Sequence, residues 1–197
     1  CHGAITHENR GTGAAVSMIL RMNNIPPSWL QPDWPAPPGV GSLMTSRNKG
    51  VSAGPWRSMN LGDHVGDHLA HVQTNRQYLA SVIGRQPVFC QQVHGVDTLR
   101  LDRFTPQGLP ADACWTTSRD VACTIMVADC LPVLLCDRAG RWVAAAHAGW
   151  RGLAGQQGQG VLEVLMSRLS HAGADVSDAL AWLGPCIGPQ AFEVGAE

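Results

Sequence analysis

The chain has 197 residues, 45% of them hydrophobic and 15% charged, enough to bury a core and too apolar for a disordered polypeptide. Its formal net charge of -1 supplies no global pull towards nucleic acid or an anionic membrane surface. No apolar run approaches the ~20 residues of a membrane-spanning helix, so neither a membrane nor a nucleic acid is an expected partner. Taken in chain order, Cys1 to Ser17 is Gly/Ala-rich and without periodicity, and Met18 offers a plausible start. Residues 1–17 are therefore read as a disordered or non-native extension, and the domain is expected over residues 18–197. The extension lacks the basic and long apolar regions of a signal peptide.

Pro26 to Pro38 carries six prolines around Trp29 and Trp34 and predicts an extended, irregular segment. Val40 to Thr45 reads as a strand and Arg47 to Asn60 as a Gly/Ser/Pro/Asn loop. Asp67 is a good N-cap for a helix running to about Ile83, with an apolar face at Leu69, Val72, Leu79, Val82 and Ile83, stopped by Gly84. Val88 to Val93 and Thr98 to Leu101 read as strands around the turn His94-Gly95-Val96-Asp97. Val121 to Val127 is continuously apolar, the signature of a strand buried on both faces. Leu131 to Cys136 and Trp142 to Ala146 flank a polar turn and predict a hairpin. Leu153 to Leu169 reads as one helix, and Ala179 to Leu183 as a last strand before Gly184-Pro185-Cys186-Ile187-Gly188-Pro189. Phe192 and Val194 look like the opening of a further strand, which suggests a C-terminal truncation. With no internal repeat, the pattern predicts a single α+β domain.

Seven cysteines, mostly within apolar runs and without a Cys-x-x-Cys pair, fit buried thiols in a reducing cytoplasm better than disulfides. Three sites of possible chemistry stand out. Cys130 follows a strand-like run and precedes Pro132, whose missing N–H breaks ladder pairing. His147 closes the run Trp142 to Ala146 and is followed by the small residues Ala148 and Gly149. His94 stands at the end of Val88 to Val93. Each has an ordinary reading, as a buried thiol or a turn histidine. Together they offer one thiolate and two imidazoles at strand ends, three of the four ligands zinc takes, with the last position open as in catalytic sites. Arg151, beside a Gly-rich helix start, is a candidate anion contact. Arg47, in a loop with Asn48, Ser52 and Asn60, could hold phosphate bidentately. His64, His68 and His71 have helical-looking spacing. An N-cap at Asp67 would put His64 before the helix, so the three need not share a face, although His64 could reach a pocket from its loop.

These motifs resemble the laccase-domain, or multicopper polyphenol oxidase, proteins, also known as the YfiH family of purine nucleoside phosphorylases. The resemblance runs from about residue 40 through Asn60-Leu61-Gly62-Asp63-His64-Val65-Gly66-Asp67, Asn75-Arg76, Gln92-Val93-His94-Gly95 and Ala111-Asp112-Ala113. It continues through Ala128-Asp129-Cys130-Leu131-Pro132, His147-Ala148-Gly149-Trp150-Arg151-Gly152 and Gly184-Pro185-x-Ile187-Gly188. It implies a layered α/β/β/α fold with mixed sheets and a zinc ion held by His94, Cys130 and His147, the catalytic set. It further implies a cytoplasmic monomer that cleaves adenosine, inosine, guanosine and methylthioadenosine with phosphate, and deaminates adenosine. Arg47, Asn60, His64 and Arg151 are the substrate-binding candidates. Two rival activities come with the resemblance: a copper-dependent laccase, and a peptidoglycan-precursor amidase with Cys130 as nucleophile. Eight histidines in total, two of them in the extension, are few for several copper sites.

Overall fold

A computed structural model describes residues 12–19, 22, 25–155 and 157–193. Nine strands form two sheets. The first contains β1 (Gly13–Met18), β2 (Gly41–Met44), β3 (Gln86–Phe89) and β6 (Val121–Val127), in the order β2-β1-β6-β3. The second contains β4 (Thr98–Arg100), β5 (Ala113–Thr116), β7 (Leu131–Asp137), β8 (Val143–Ala148) and β9 (Ala179–Leu183), in the order β4-β5-β8-β7-β9. Both sheets are mixed: β3 runs parallel to β6 and β4 parallel to β5, while the other pairs are antiparallel.

Alternation of side chains along the strands builds the layers. In β1, Ala15 faces the other sheet, while Ala14, Val16 and Met18 face away from it. Between the sheets lie Ile125, Leu134, Val143 and Ala145, with Cys114, Cys123 and Cys136 as small apolar fillers. Helix α1 (Leu69–Ile83) covers the outer face of the first sheet through Leu79 and Ile83 against Phe89 and Met126. Helix α3 (Val161–His171) covers the second through Val161, Leu165 and Leu169 against Trp115, Leu135 and Ala146. The expected α/β/β/α layering is therefore present.

Four expectations need correction. Residues 13–17 are not part of an extension outside the fold. They form most of β1, paired with β2 on one side and β6 on the other, with Ala14, Ala15, Val16 and Ser17 fully buried. Residues 1–11 lie outside the described residues, as do residues 194–197, where a further strand was expected to continue. Asp67 does not cap α1, because His68 occupies that position. The Asp67 carboxylate instead accepts hydrogen bonds from Ser52 Oγ at 2.6 Å and Asn60 Nδ2 at 2.9 Å, tying the 47–67 loop together. The helix expected over 153–169 is two helices, α2 (Trp150–Ala154) and α3, separated where Gly155 and Gly158 take φ of 63° and 78°. The strand expected over 88–93 ends at Phe89, for a reason that builds the site.

Candidate metal centre

The β3–β6 ladder ends at the pair Phe89–Thr124. Beyond it the Gln92 side chain replaces the main chain: Oε1 accepts from Met126 N and Nε2 donates to Met126 O, both at 2.8 Å. Pairing along β6 is thereby satisfied while the backbone of residues 90–95 peels away. Gln91 bonds instead to Leu109 O, and Ala111 N donates back to Gln91 O. The departing segment turns at His94, whose φ of 59° lies in the left-handed region.

Asp112 holds that turn. Its fully buried carboxylate accepts from Val93 N (3.1 Å), His94 N (2.9 Å) and Gly95 N (2.8 Å). The same carboxylate lies 2.8 Å from His147 Nδ1, and Asp112 O accepts from His147 N at 2.7 Å. The side-chain bond requires the His147 proton on Nδ1 and leaves Nε2 as the lone-pair donor, the tautomer a metal ligand needs. Burial pushes the Asp112 carboxyl up, but the bonds from His147 and from the Gly95 and Val93 amides outweigh it and hold the group below the usual range.

The ligand atoms of His94, Cys130 and His147 all lie within 4.8 Å of one another, the one such cluster among the described residues. Strand ends of the second sheet meet here: β8 supplies His147, Cys130 immediately precedes β7, and Asp112 immediately precedes β5. His94 Nε2 lies 3.7 Å from Cys130 Sγ. A tetrahedral zinc with the usual Zn–N and Zn–S lengths places such atoms ~3.6 Å apart, so the donor set fits zinc by spacing and chemistry. The two imidazole rings meet edge-on at 4.7 Å. Gly149 permits this closeness, since a Cβ there would stand 3.0 Å from both Cys130 Sγ and His94 Cδ2. Burial lowers the proton affinity of His94, and the His147 ring and the Arg151 charge add to that. Burial raises the Cys130 thiol, so the ionised form needs a cation beside it.

The remaining candidates are dispersed. Arg151, in α2, sits over the Trp150 ring at 4.8 Å and acts electrostatically on His94. The exposed Arg47 guanidinium folds onto its own loop, donating from Nε and Nη2 to Arg57 O. Asn60 is 1% exposed, and its amide is engaged by Thr12, Gly62 and Asp67. It builds the loop rather than facing a cavity. His64 lines a cavity of about 420 Å³ with Asp63, Arg76, Gln91, Gln92 and Gln107, large enough for a small organic ligand. Sequence reasoning did not assign Arg76 a place at this cavity, where the guanidinium stacks over Phe89 at 4.1 Å and lies 3.3 Å from Asp63. A separate apolar cavity of about 170 Å³ opens at Cys130, walled by Trp150, Leu153, Ile187 and Phe192. His68 and His71 pack ring to ring at 5.3 Å and belong to no ligand cluster among the described residues. The role of Asp112 was also missed. The one local signal was an acidic residue between alanines in a strand-forming stretch.

An α/β/β/α domain with two histidines and one cysteine gathered at its strand ends, the one such cluster among the described residues, is a candidate metalloprotein. The family model described as multi-copper polyphenol oxidoreductase laccase matches residues 41–197, and the chain belongs to that family. It is 51% identical over 170 residues to a purine nucleoside phosphorylase of Pseudomonas aeruginosa, covering 86% of this chain and 66% of that one. The purine nucleoside phosphorylase YfiH of Escherichia coli is 48% identical over 168 residues, with 84% and 66% covered. The chain thus spans just under two thirds of the length of these relatives. Among solved structures, a Neisseria meningitidis protein superposes with TM-score 0.76 at 43% identity, covering 85% of this chain and 66% of its own. YlmD from Geobacillus stearothermophilus superposes with TM-score 0.73 at 29% identity, covering 87% and 67%.

Proposed function

We propose that this chain carries the metal centre of a zinc-dependent purine nucleoside phosphorylase. The enzyme cleaves adenosine, inosine, guanosine and methylthioadenosine with phosphate to free base and ribose 1-phosphate, with adenosine deamination as a side activity. The observation that carries the reading is the Asp112-oriented His94–Cys130–His147 cluster, in a chain whose relatives are named purine nucleoside phosphorylases. His94, Cys130 and His147 would hold the zinc, which would supply Lewis acidity to the reaction. The protein's own groups do the rest. Asp112 keeps the Nδ1 proton on His147 and fixes the turn that presents His94. Arg151 adds positive charge beside His94, and with Arg47 and His64 it is our candidate contact for phosphate and the leaving base. Trp150, Leu153 and Ile187 wall the cavity on the Cys130 side with apolar surface.

The copper-oxidase reading calls for several copper sites, and one cluster is present among the described residues. The cysteine-nucleophile reading needs a depressed thiol, and burial moves Cys130 the other way. Unbridged thiols at Cys90, Cys114, Cys123, Cys136 and Cys186 agree with a reducing, cytoplasmic setting. The deciding experiment measures phosphate-dependent release of base from adenosine by the protein and by Cys130→Ala, with zinc and copper quantified in both. Joint loss of zinc and activity in the variant sustains the reading. Base release independent of phosphate, or oxygen-dependent phenol oxidation with copper, overturns it.

A further inference from the structure

The β7–β9 ladder pairs Val133 with Leu183, Leu134 with Trp182, and so on in strict antiparallel register. Main-chain contacts continue past the ladder. Gly184 N donates to Pro132 O and Ile187 N to Asp129 O, both at 2.9 Å. Cys186 and Cys130 lie between these two contacts. The two backbones approach closely, since a Cβ on Gly184 would stand 2.7 Å from Pro132 Cγ. Both cysteines also line the same apolar cavity, so their side chains lie on one side of the pair. Cys186 is exposed and Cys130 is buried behind it.

We propose that Cys130 and Cys186 form a reversible disulfide when the protein meets a peroxide, and that this bond withdraws Cys130 from the metal centre. The exposed Cys186 sulfur attacks one peroxide oxygen. The O–O bond breaks, an S–O bond forms, and the departing hydroxide leaves as water with the thiol proton. The Cys130 sulfur then attacks Cys186 sulfur, forming S–S and breaking S–O, and the second hydroxide takes the Cys130 proton. Two thiols and one hydrogen peroxide become one disulfide and two waters. The pairing rests on the flanking main-chain contacts and the shared cavity, whereas the loss of metal rests on the metal-centre reading above.

The test treats the whole chain, zinc-loaded and metal-free, with stoichiometric hydrogen peroxide. Peptides are then mapped without reduction, and released zinc is read with a chromogenic chelator. Both samples should yield the Cys130–Cys186 linked peptide, two hydrogen atoms lighter than the separate peptides. Zinc should leave one for one with the link, and a thiol reductant should restore both thiols and full zinc binding. Cys186→Ser and Cys186→Ala, shown to be folded by their melting curves, should give no link and should keep their zinc under the same peroxide. Wild-type Cys130 oxidised without the link, a link to a different cysteine, or Cys186 variants that lose zinc like wild type would each overturn the proposal. A link that forms in a protein unable to bind zinc sustains the pairing and defeats the metal-centre reading. Zinc binding without a link does the reverse.

Discussion

Replacing Asp112 by Asn tests the core of the site with almost no change of volume. The carboxylate takes four hydrogen bonds, from His147 Nδ1 and the amides of Val93, His94 and Gly95. In one amide orientation the new NH2 group confronts Val93 N and Gly95 N, two donors meeting donors. In the other it confronts His94 N and His147 Nδ1, and the imidazole can keep a bond only by moving its proton to Nε2, where it blocks ligation. Either way two donors lose an acceptor, the turn amides being part-buried, at ~1–3 kcal/mol each and so at most ~2–6 kcal/mol together. That is a large share of the ~5–15 kcal/mol that separates a folded domain from its unfolded chain. Urea unfolding of the metal-free protein isolates this term. Zinc competition with a chelator of known affinity measures the second effect, a ~10–100-fold weakening expected when a ligand loses its orienting partner. A variant within ~0.5 kcal/mol of wild type, with unchanged zinc affinity, would refute the claim that Asp112 organises the centre.

Three further outcomes are expected. Gly149→Ala puts a methyl 3.0 Å from Cys130 Sγ and His94 Cδ2, so zinc affinity should fall ~10-fold while the metal-free melting curve barely moves. Leu165→Ala empties a fully buried position between α3 and the second sheet and should cost ~2–5 kcal/mol in urea unfolding, with zinc affinity in the folded protein retained. For Asp67, burial pushes the carboxyl up but bonds from Asn60 and Ser52 prevail and hold it below its ordinary value. A group depressed in the folded state stabilises above its unfolded value of ~3.9, and that contribution disappears as pH falls through the lower folded value. Urea midpoints followed from about pH 6 down to about pH 2 should therefore drop in wild type through that window. The drop should be shallower in Asp67→Asn, which starts less stable; parallel curves would show that the carboxylate is not held this way.

Much of the fold is legible from local pattern. The continuous apolar run of β6, the β7–β8 hairpin with its polar turn, β9, and the stop of α1 at Gly84, where φ is 65°, all follow from side-chain period and turn chemistry acting within a few residues. The three proposed ligands were legible too, because thiol and imidazole groups at strand ends before breaker residues are unusual company.

What tertiary structure decided depends on partners far apart in the chain. Gly13 to Met18 has no strand signal strong enough to stand out, and it becomes β1 because β2 and β6 satisfy its backbone on both sides. Gln92 looks like a strand residue, yet its side-chain amide replaces the ladder at Met126, 34 positions away. Asp112 becomes the support of the centre only when β5, β8 and the His94 turn meet, and Cys186 reaches the cavity of Cys130 only because β9 pairs with β7. The sequence by itself determined which segments are apolar, where turns break them and which residues can bind metal, since those properties belong to single residues and short periods. Which carboxylate orients which imidazole, and which thiol shares a cavity with which, was decided by long-range hydrogen bonding and strand pairing, to which no local period points.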